Sequence, residues 1–211
     1  MAYVPAGIVH QSITTTEERL CYILFNVFKS NNKEGHASFA EHIEKVKQIR
    51  RAQADSGNVA ADDEEELKDI KSSIYFEDFK AGKTYDFGSN TATLLVDRKD
   101  SNRCEVTCVT WRDGKKGAVV AHKDKEQTFF VLEGKGKIIV GDETEIVGVG
   151  DMVFVPRNTP HTTEAMEGDL TYLCMNGLAD NVKDHSFDEM YNRISADRMA
   201  RWENGSNEVG E

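Results

Sequence analysis

The sequence predicts a mainly β domain built from short antiparallel strands, with a helical region before it and one helix after it. Apolar residues recur at helical spacing over 14–74, whereas over 75–177 they come in short runs separated by glycine and charged turn residues. Seven strand-length segments within about 100 residues are typical of a sandwich or barrel. No helical pattern interrupts them, which argues against a parallel α/β sheet. We therefore divide the chain into 1–75, 76–180 and 181–211.

Three helices are predicted in the N-terminal region. The first begins in the threonine cluster at 14–16, which precedes glutamates at capping-box spacing, and the second begins at Ser38 with Glu41 as its capping partner. The third begins in the acidic run 62–66, because carboxylates in a first turn are stabilised by the helix dipole. Residues 52–61 are expected to form an exposed connection. The faces that these helices would bury are Leu20, Ile23, Leu24, Val27 and Phe28 in the first, Phe39, Ile43, Val46 and Ile49 in the second, and Leu67, Ile70 and Ile74 in the third.

The strands of the β domain are separated by turn residues. A turn is expected at Glu133 and Gly134, and Gly134 to Lys137 is not a phosphate loop because no helix follows it. The predicted strands are 91–97, 104–111, 118–122, 128–132, 135–140, 152–155 and 170–175. A last helix is capped by Ser186 and Glu189. Its inner face consists of Phe187, Met190, Tyr191 and Ile194, and the tail over 203–211 is expected to be disordered.

Composition limits the partners of this protein. The formal net charge of −11 over 211 residues opposes binding to nucleic acid and to anionic lipid. The longest apolar run, 20–28, is too short to span a membrane. The four cysteines have no metal-binding spacing, and the N-terminus has no features of a secretory signal, so we expect reduced thiols and a cytoplasmic location.

Two segments carry the histidines and turn residues that indicate one concave site. The first, 117–134, reads GAVVAHKDKEQTFFVLEG and contains His122 and Gln127 before an apolar strand. The second, 150–161, reads GDMVFVPRNTPH and ends at His161. We expect these side chains to point into one pocket, with Phe129 either lining it or belonging to the core.

These segments resemble the paired motifs of the cupin superfamily, whose fold is a double-stranded β-helix, or jelly-roll barrel. In the first motif, Gln127 takes the place of the family's glutamate and His122 that of its second histidine, while Val120 stands where the first histidine would be. In the second motif, Gly150, Pro156 and His161 match, Asn158 replaces a glycine and Ala165 stands where an asparagine is usual. The resemblance covers residues 76–180 approximately and implies a cupin barrel.

The resemblance also implies a divalent transition metal such as Fe, Zn, Mn or Ni, held by histidines and a carboxylate. Here the carboxylate is missing, because Gln127 offers only a neutral amide oxygen. Asp124 lies two residues past His122 and can supply the charge if it points inward, giving a set of His122, Asp124, Gln127 and His161. The alternative is that Asp124 lies in a hairpin turn between two lysines and faces water.

Two functions remain open at this point. The first is a metal-dependent cupin enzyme, an oxygenase, isomerase or lyase acting on a small molecule, with Asp124 as a possible acid or base. The second is a cupin that binds a small ligand or a partner protein without a metal and without turnover. An inward Asp124 favours the first and an outward one the second. The N-terminal helices are expected to cover the barrel or to form a homodimer contact.

Overall fold

The protein is described here by a computed structural model, in which the described residues are 2–5, 17, 19–27, 38–56, 75–76, 78, 81–101, 103–180, 182 and 184–203. The chain divides into two compact units, one formed by 4–75 and the other by 1–3 with 76–211. The strands are β1 (Ala2–Tyr3), β2 (Tyr75–Phe76), β3 (Thr84–Asp86), β4 (Asn90–Val96), β5 (Cys104–Trp111), β6 (Lys125–Val140), β7 (Glu143–Gly148), β8 (Met152–Val155) and β9 (His161–Leu178). The helices are α1 (Phe39–Ser56) and α2 (Phe187–Glu203), and none of the described helices is long and apolar enough to cross a membrane.

Seven of these strands form one antiparallel jelly-roll sheet, which confirms the predicted fold class. The strand order is β3-β4-β5-β9-β6-β7, and β8 pairs with β6. The two long strands β6 and β9 lie next to each other, so that β9 bonds to β5 and β6 along its second half. Alternate residues of β6, such as Gln127, Phe129 and Val131, are buried, as expected for a strand with one face towards a core.

The turn predicted at Glu133 is wrong, because β6 continues through it as one strand with a bulge. The pairing between β6 and β9 shifts register on both sides of Glu133. Gly134 has a φ of 82° there, and a Cβ at this position would overlap the carbonyl oxygen of Asp169. The glycine that indicated a turn is therefore a bulge residue that lets the long strand bend around the barrel. For the same reason, the strand predicted at 170–175 is only the second half of β9.

The strand predicted over 118–122 is also absent from the structure. Residues 116–122 form two isolated bridges to β9, from Lys116 to Glu164 and from Val120 to His161. The second bridge has two backbone hydrogen bonds, of 3.0 and 2.8 Å, between Val120 and His161. These bonds hold the end of the segment, including His122, beside the start of β9.

In the N-terminal region, the second predicted helix is confirmed and the first is not. Ser38 Oγ accepts a 3.2 Å hydrogen bond from Glu41 N at the start of α1, which continues to Ser56 rather than ending before 52. Ile49, expected on its buried face, is 51% exposed. Residues 19–27 form no helix, and the described apolar stripe there is largely exposed, as in Leu24 at 67%. A short helix depends on packing of its apolar face, which this stripe lacks. The third predicted helix lies outside the described residues.

Helix α2 confirms the predicted C-terminal helix. Ser186 Oγ accepts a 3.2 Å hydrogen bond from Glu189 N, and Asp97 Oδ1 accepts one of 3.0 Å from Phe187 N. The buried ring of Phe187 belongs to the barrel core, and three partly buried residues of the same helix pack against that core. These three are Met190, Tyr191 and Ile194. The segment after 203 lies outside the described residues.

Candidate functional site

The barrel encloses a cavity of about 200 Å³ that brings both motif segments together. Its wall is formed by residues of β5, β6 and β9, by the segment before β6, and by α2. His122, Gln127 and His161 all line it, as the sequence predicts, and Phe129 lines it while also belonging to the core.

The two imidazoles lie against each other in the cavity wall. The ring centroids of His122 and His161 are 5.2 Å apart, with an angle of 61° between the ring planes. Nδ1 of His161 lies 3.0 Å from the carbonyl oxygen of Thr159. Because a carbonyl can only accept, Nδ1 donates this bond, and the other nitrogen of the ring, Nε2, is left with a lone pair.

Burial keeps both imidazoles neutral. It lowers the pKa of His122 from 6.5 to about 2, and the positive charges of Lys125 and Arg198 act in the same direction. Burial also lowers the pKa of His161, against the opposing effect of its bond to Thr159. At neutral pH these rings are therefore hydrogen-bonding groups without charge.

Gln127 is held by a chain of buried polar groups that ends in an ion pair. Arg98 Nε donates a 2.6 Å hydrogen bond to Glu105 Oε2, and Asn176 Nδ2 donates one of 3.1 Å to Glu105 Oε1. Asn176 Oδ1 in turn accepts a 2.9 Å bond from Gln127 Nε2. Gln127 is only 7% exposed, and its Oε1 has no hydrogen-bond partner in the part of the chain that the structure describes.

This chain of contacts determines which way both amides point. An ionised carboxylate only accepts hydrogen bonds, so Asn176 must turn its NH₂ group towards Glu105 and its oxygen towards Gln127. Gln127 must then turn its own NH₂ group towards Asn176. The polar atom of Gln127 that remains without a bond among the described residues is therefore an acceptor, Oε1.

Asp124 does not join the site. It is half-buried just before β6, it is absent from the cavity wall, and its charge acts on Arg193 of α2. Its backbone oxygen accepts a 2.7 Å hydrogen bond from Ala179 N. The next residue, Lys125, lines the cavity in its place. The carboxylate that would have completed a metal-binding set is therefore not in the cavity wall. The neighbouring residue that does line the cavity, Lys125, is a cation.

Comparison with known proteins finds a family match within the β domain. Residues 109–176 match the protein-family model described as Cupin domain. Over these residues, the β domain is similar to the cupin domain family. A solved structure of an RmlC-like cupin from Shewanella frigidimarina has a TM-score of 0.45 and 20% sequence identity, covering 51% of this chain and 93% of that one.

Two curated proteins share shorter segments with this chain. Quercetin 2,3-dioxygenase of Bacillus subtilis is 28% identical over 82 residues, which cover 38% of this chain and 24% of that protein. Mannose-1-phosphate guanylyltransferase RfbM of Salmonella typhimurium is 30% identical over 59 residues, which cover 28% of this chain and 12% of that protein. The chain therefore matches a quarter or less of the length of these relatives.

The donor set of this cavity does not fit a tightly held divalent metal. The spacing of the two rings suits a shared ion, but His122, His161 and Gln127 are all neutral donors, and the charge of Lys125 acts on both imidazoles. The described residues contain no group of three or more His, Cys, Asp or Glu side chains placed to hold a metal ion. A dication here would meet a cation and no free carboxylate, which opposes its binding.

Several cavity residues were missed by the sequence analysis, and strand parity contains the signal for some of them. Glu105 and Asn176 lie in β5 and β9, where period-two alternation places Glu105 on the face of Trp111, and Asn176 on the face of Tyr172 and Cys174. A charged residue on the inward face of a strand indicates a buried pair. Arg198 carries no such signal, because its place in the wall depends on how α2 packs.

Tyr172 and Cys174 line the cavity as neutral groups. The phenol of Tyr172 accepts a 2.8 Å hydrogen bond from Trp111 Nε1, and burial raises its pKa. Burial also raises the pKa of the Cys174 thiol to about 11. At neutral pH, Cys174 is a thiol rather than a reactive thiolate.

Proposed function

We propose that this cupin binds a small polar molecule directly through the side chains of its barrel cavity, without a resident divalent metal. The observation that carries this proposal is the buried Gln127 Oε1, which has no partner among the described residues. A buried acceptor without a hydrogen bond costs about 1–3 kcal/mol. An O–H or N–H group of a ligand would satisfy it.

The rest of the cavity wall supports a ligand with an apolar body and polar edges. Phe129 and Tyr172 are stacked, with ring centroids 4.7 Å apart, and form an aromatic part of the wall. Nε2 of His161 offers a second acceptor, because Nδ1 is used by Thr159. A mostly apolar wall with a few converging polar groups is typical of small-molecule sites.

The competing function is the metal-dependent cupin implied by family resemblance. The imidazole pair favours it, and the absence of a free carboxylate in the wall opposes it. Elemental analysis of protein purified without a histidine tag separates the two. We expect less than stoichiometric metal. One equivalent of metal that disappears in both His122→Ala and His161→Ala would contradict the proposal.

Ligand binding is tested by the change in thermal stability with a panel of hydroxylated small molecules. Compounds that bind the folded protein raise the melting temperature by mass action. We expect stabilising compounds to lose their effect in Gln127→Leu, which removes the acceptor. Gln48→Leu is the matched control, because Gln48 lies exposed on α1. Equal stabilisation of both variants would show that Gln127 is not part of a binding site.

A further inference from the structure

The charges in the cavity wall have a sign opposite to that of the protein. The chain carries 37 acidic and 26 basic residues, for a net charge of −11. Among the lining residues that the structure describes, three are cations, namely Lys116, Lys125 and Arg198, and one is a carboxylate, Glu105. Both oxygens of Glu105 are already engaged, one by Arg98 and the other by Asn176. The cavity therefore has an excess of positive charge inside an acidic protein.

Lys125 contributes this charge from the barrel itself. It is the first residue of β6 and lines the same cavity as His122, His161 and Cys174, whose pKa values its charge lowers. Within the described residues, Lys125 makes no salt bridge. A half-buried cation without a counter-ion leaves room for an anion from solution.

Arg198 brings a second cation from outside the barrel. Its guanidinium carbon lies 4.9 Å from the centre of the Phe87 ring, and its charge acts on His122 and on Tyr172. It belongs to α2, which lies beyond the segment 109–176 that matches the cupin family. Arg198 is thus a feature added to the barrel by the C-terminal helix.

The position of α2 over the cavity is held by several polar contacts. Asp188 accepts hydrogen bonds of 2.8 Å from Tyr85 Oη and 2.6 Å from Lys83 Nζ. Tyr191 Oη donates a 2.9 Å bond to the backbone oxygen of Asp86. These contacts, together with Phe187 in the core, fix the face of α2 that carries Arg198. The two cations are consequently presented to the same cavity by independent elements.

We propose that the ligand is a small organic anion that carries a hydroxyl or amino group, with its carboxylate or phosphate bound by Lys125 and Arg198 and its donor group bound by Gln127 Oε1. This inference rests on the proposed binding function. Charge-assisted hydrogen bonds from Lys and Arg to an oxyanion are roughly twice as strong as neutral ones. The cavity of about 200 Å³ is smaller than the sites of about 300–1,000 Å³ that hold drug-sized ligands, so the ligand is a small metabolite.

The test compares matched compounds by thermal shift and by calorimetric titration of the full chain. Each hydroxy acid, such as gluconate or 4-hydroxybenzoate, is compared with a neutral alcohol of the same skeleton and with the acid that lacks the hydroxyl group. Sugar phosphates form a further arm, which distinguishes a phosphate from a carboxylate. We expect only compounds with both an anionic group and a donor to bind well, and increasing salt to weaken them.

The variants Lys125→Met and Arg198→Met are expected to weaken binding of the acid about tenfold or more each, with little effect on any neutral compound. Lys123→Met is the matched control, because Lys123 is exposed and outside the wall. Arg198→Lys keeps the positive charge and is therefore expected to retain part of the affinity for the acid.

Failure of this inference is distinguishable from failure of the proposed function. Neutral alcohols that bind as well as the acids and lose affinity in Gln127→Leu would contradict the proposal that the ligand is an anion. That result would still agree with direct binding of a small molecule in the cavity. Acid affinity unchanged in both cation variants, or no stabilising anion in the panel, would also overturn it. Stoichiometric metal would contradict the proposed function itself.

Discussion

Nε2 of Gln127 donates a 2.9 Å hydrogen bond to Oδ1 of Asn176. This contact links Gln127 to the buried ion pair of Arg98 and Glu105 and thereby determines the orientation of its amide group. Glu105 orients Asn176, and Asn176 orients Gln127. Oε1 of Gln127, which has no partner among the described residues, therefore owes its position to Arg98 and Glu105. The same contacts give the first of four predictions.

Glu105→Gln is expected to lower the free energy of unfolding by about 3 kcal/mol, because the buried guanidinium of Arg98 loses its 2.6 Å partner and keeps only the carboxylate of Asp184 at 4.0 Å. The measurement is urea denaturation at neutral pH. The matched control is Glu44→Gln, which breaks the exposed 2.6 Å pair with Lys47 and should cost less than about 1 kcal/mol. Comparable small losses in both variants would show that the buried pair is not needed for folding.

Gln127→Glu is expected to increase the affinity of the cavity for a divalent metal. The substitution places a carboxylate beside His122 and His161, at the position where the cupin motif has its glutamate. Titration calorimetry with Mn²⁺, Ni²⁺ and Zn²⁺ measures the gain. Gln48→Glu adds the same charge on exposed α1 and should not bind metal in this way. Equal metal affinity in Gln127→Glu and the native protein would refute this account of the missing charge.

Stability is expected to fall as the pH drops below the ordinary imidazole pKa of 6.5. The folded pKa of His122 is lowered to about 2, so the unfolded chain takes up a proton there that the folded chain does not. The stabilisation is complete above pH 6.5 and decreases below it. Protonation of His122 in the unfolded chain should lower the free energy of unfolding by about 1 kcal/mol between pH 7 and about pH 5.5. His161 lowers it further, because its folded pKa is also depressed.

Urea denaturation at the two pH values measures this loss. His122→Gln should reduce it, whereas the exposed His185→Gln serves as the matched control. A pH dependence that is the same in His122→Gln and in the native protein would contradict the prediction.

Gly134→Ala is expected to cost more than about 1 kcal/mol of stability. At a φ of 82°, an alanine is strained, and its Cβ would overlap the carbonyl oxygen of Asp169 in the bulge between β6 and β9. Gly148→Ala is the control, because a Cβ there meets nothing within 4 Å. Denaturant unfolding of both variants measures the difference. A loss at Gly148 as large as the loss at Gly134 would mean that the bulge does not require glycine.

The fold could be predicted because strand periodicity and motif spacing are local properties of the chain. The bounds 104–111 and 152–155 agree with β5 and β8, and the Ser186 cap agrees with the start of α2. The errors arose where packing overrides local signals. Gly134 indicates a turn in the sequence and forms a bulge in the structure, and the apolar residues at 20–24 have helical spacing but are exposed.

The sequence by itself determined the barrel, the two motif segments and the cavity position of His122, Gln127 and His161. Only the tertiary structure decided the charge of that cavity. The direction of Asp124, the neutralisation of Glu105 by Arg98 and the arrival of Arg198 from α2 all depend on contacts between residues far apart in the chain. Motif spacing specifies which backbone positions face inward, but the net charge at a site is a sum over every element packed around it.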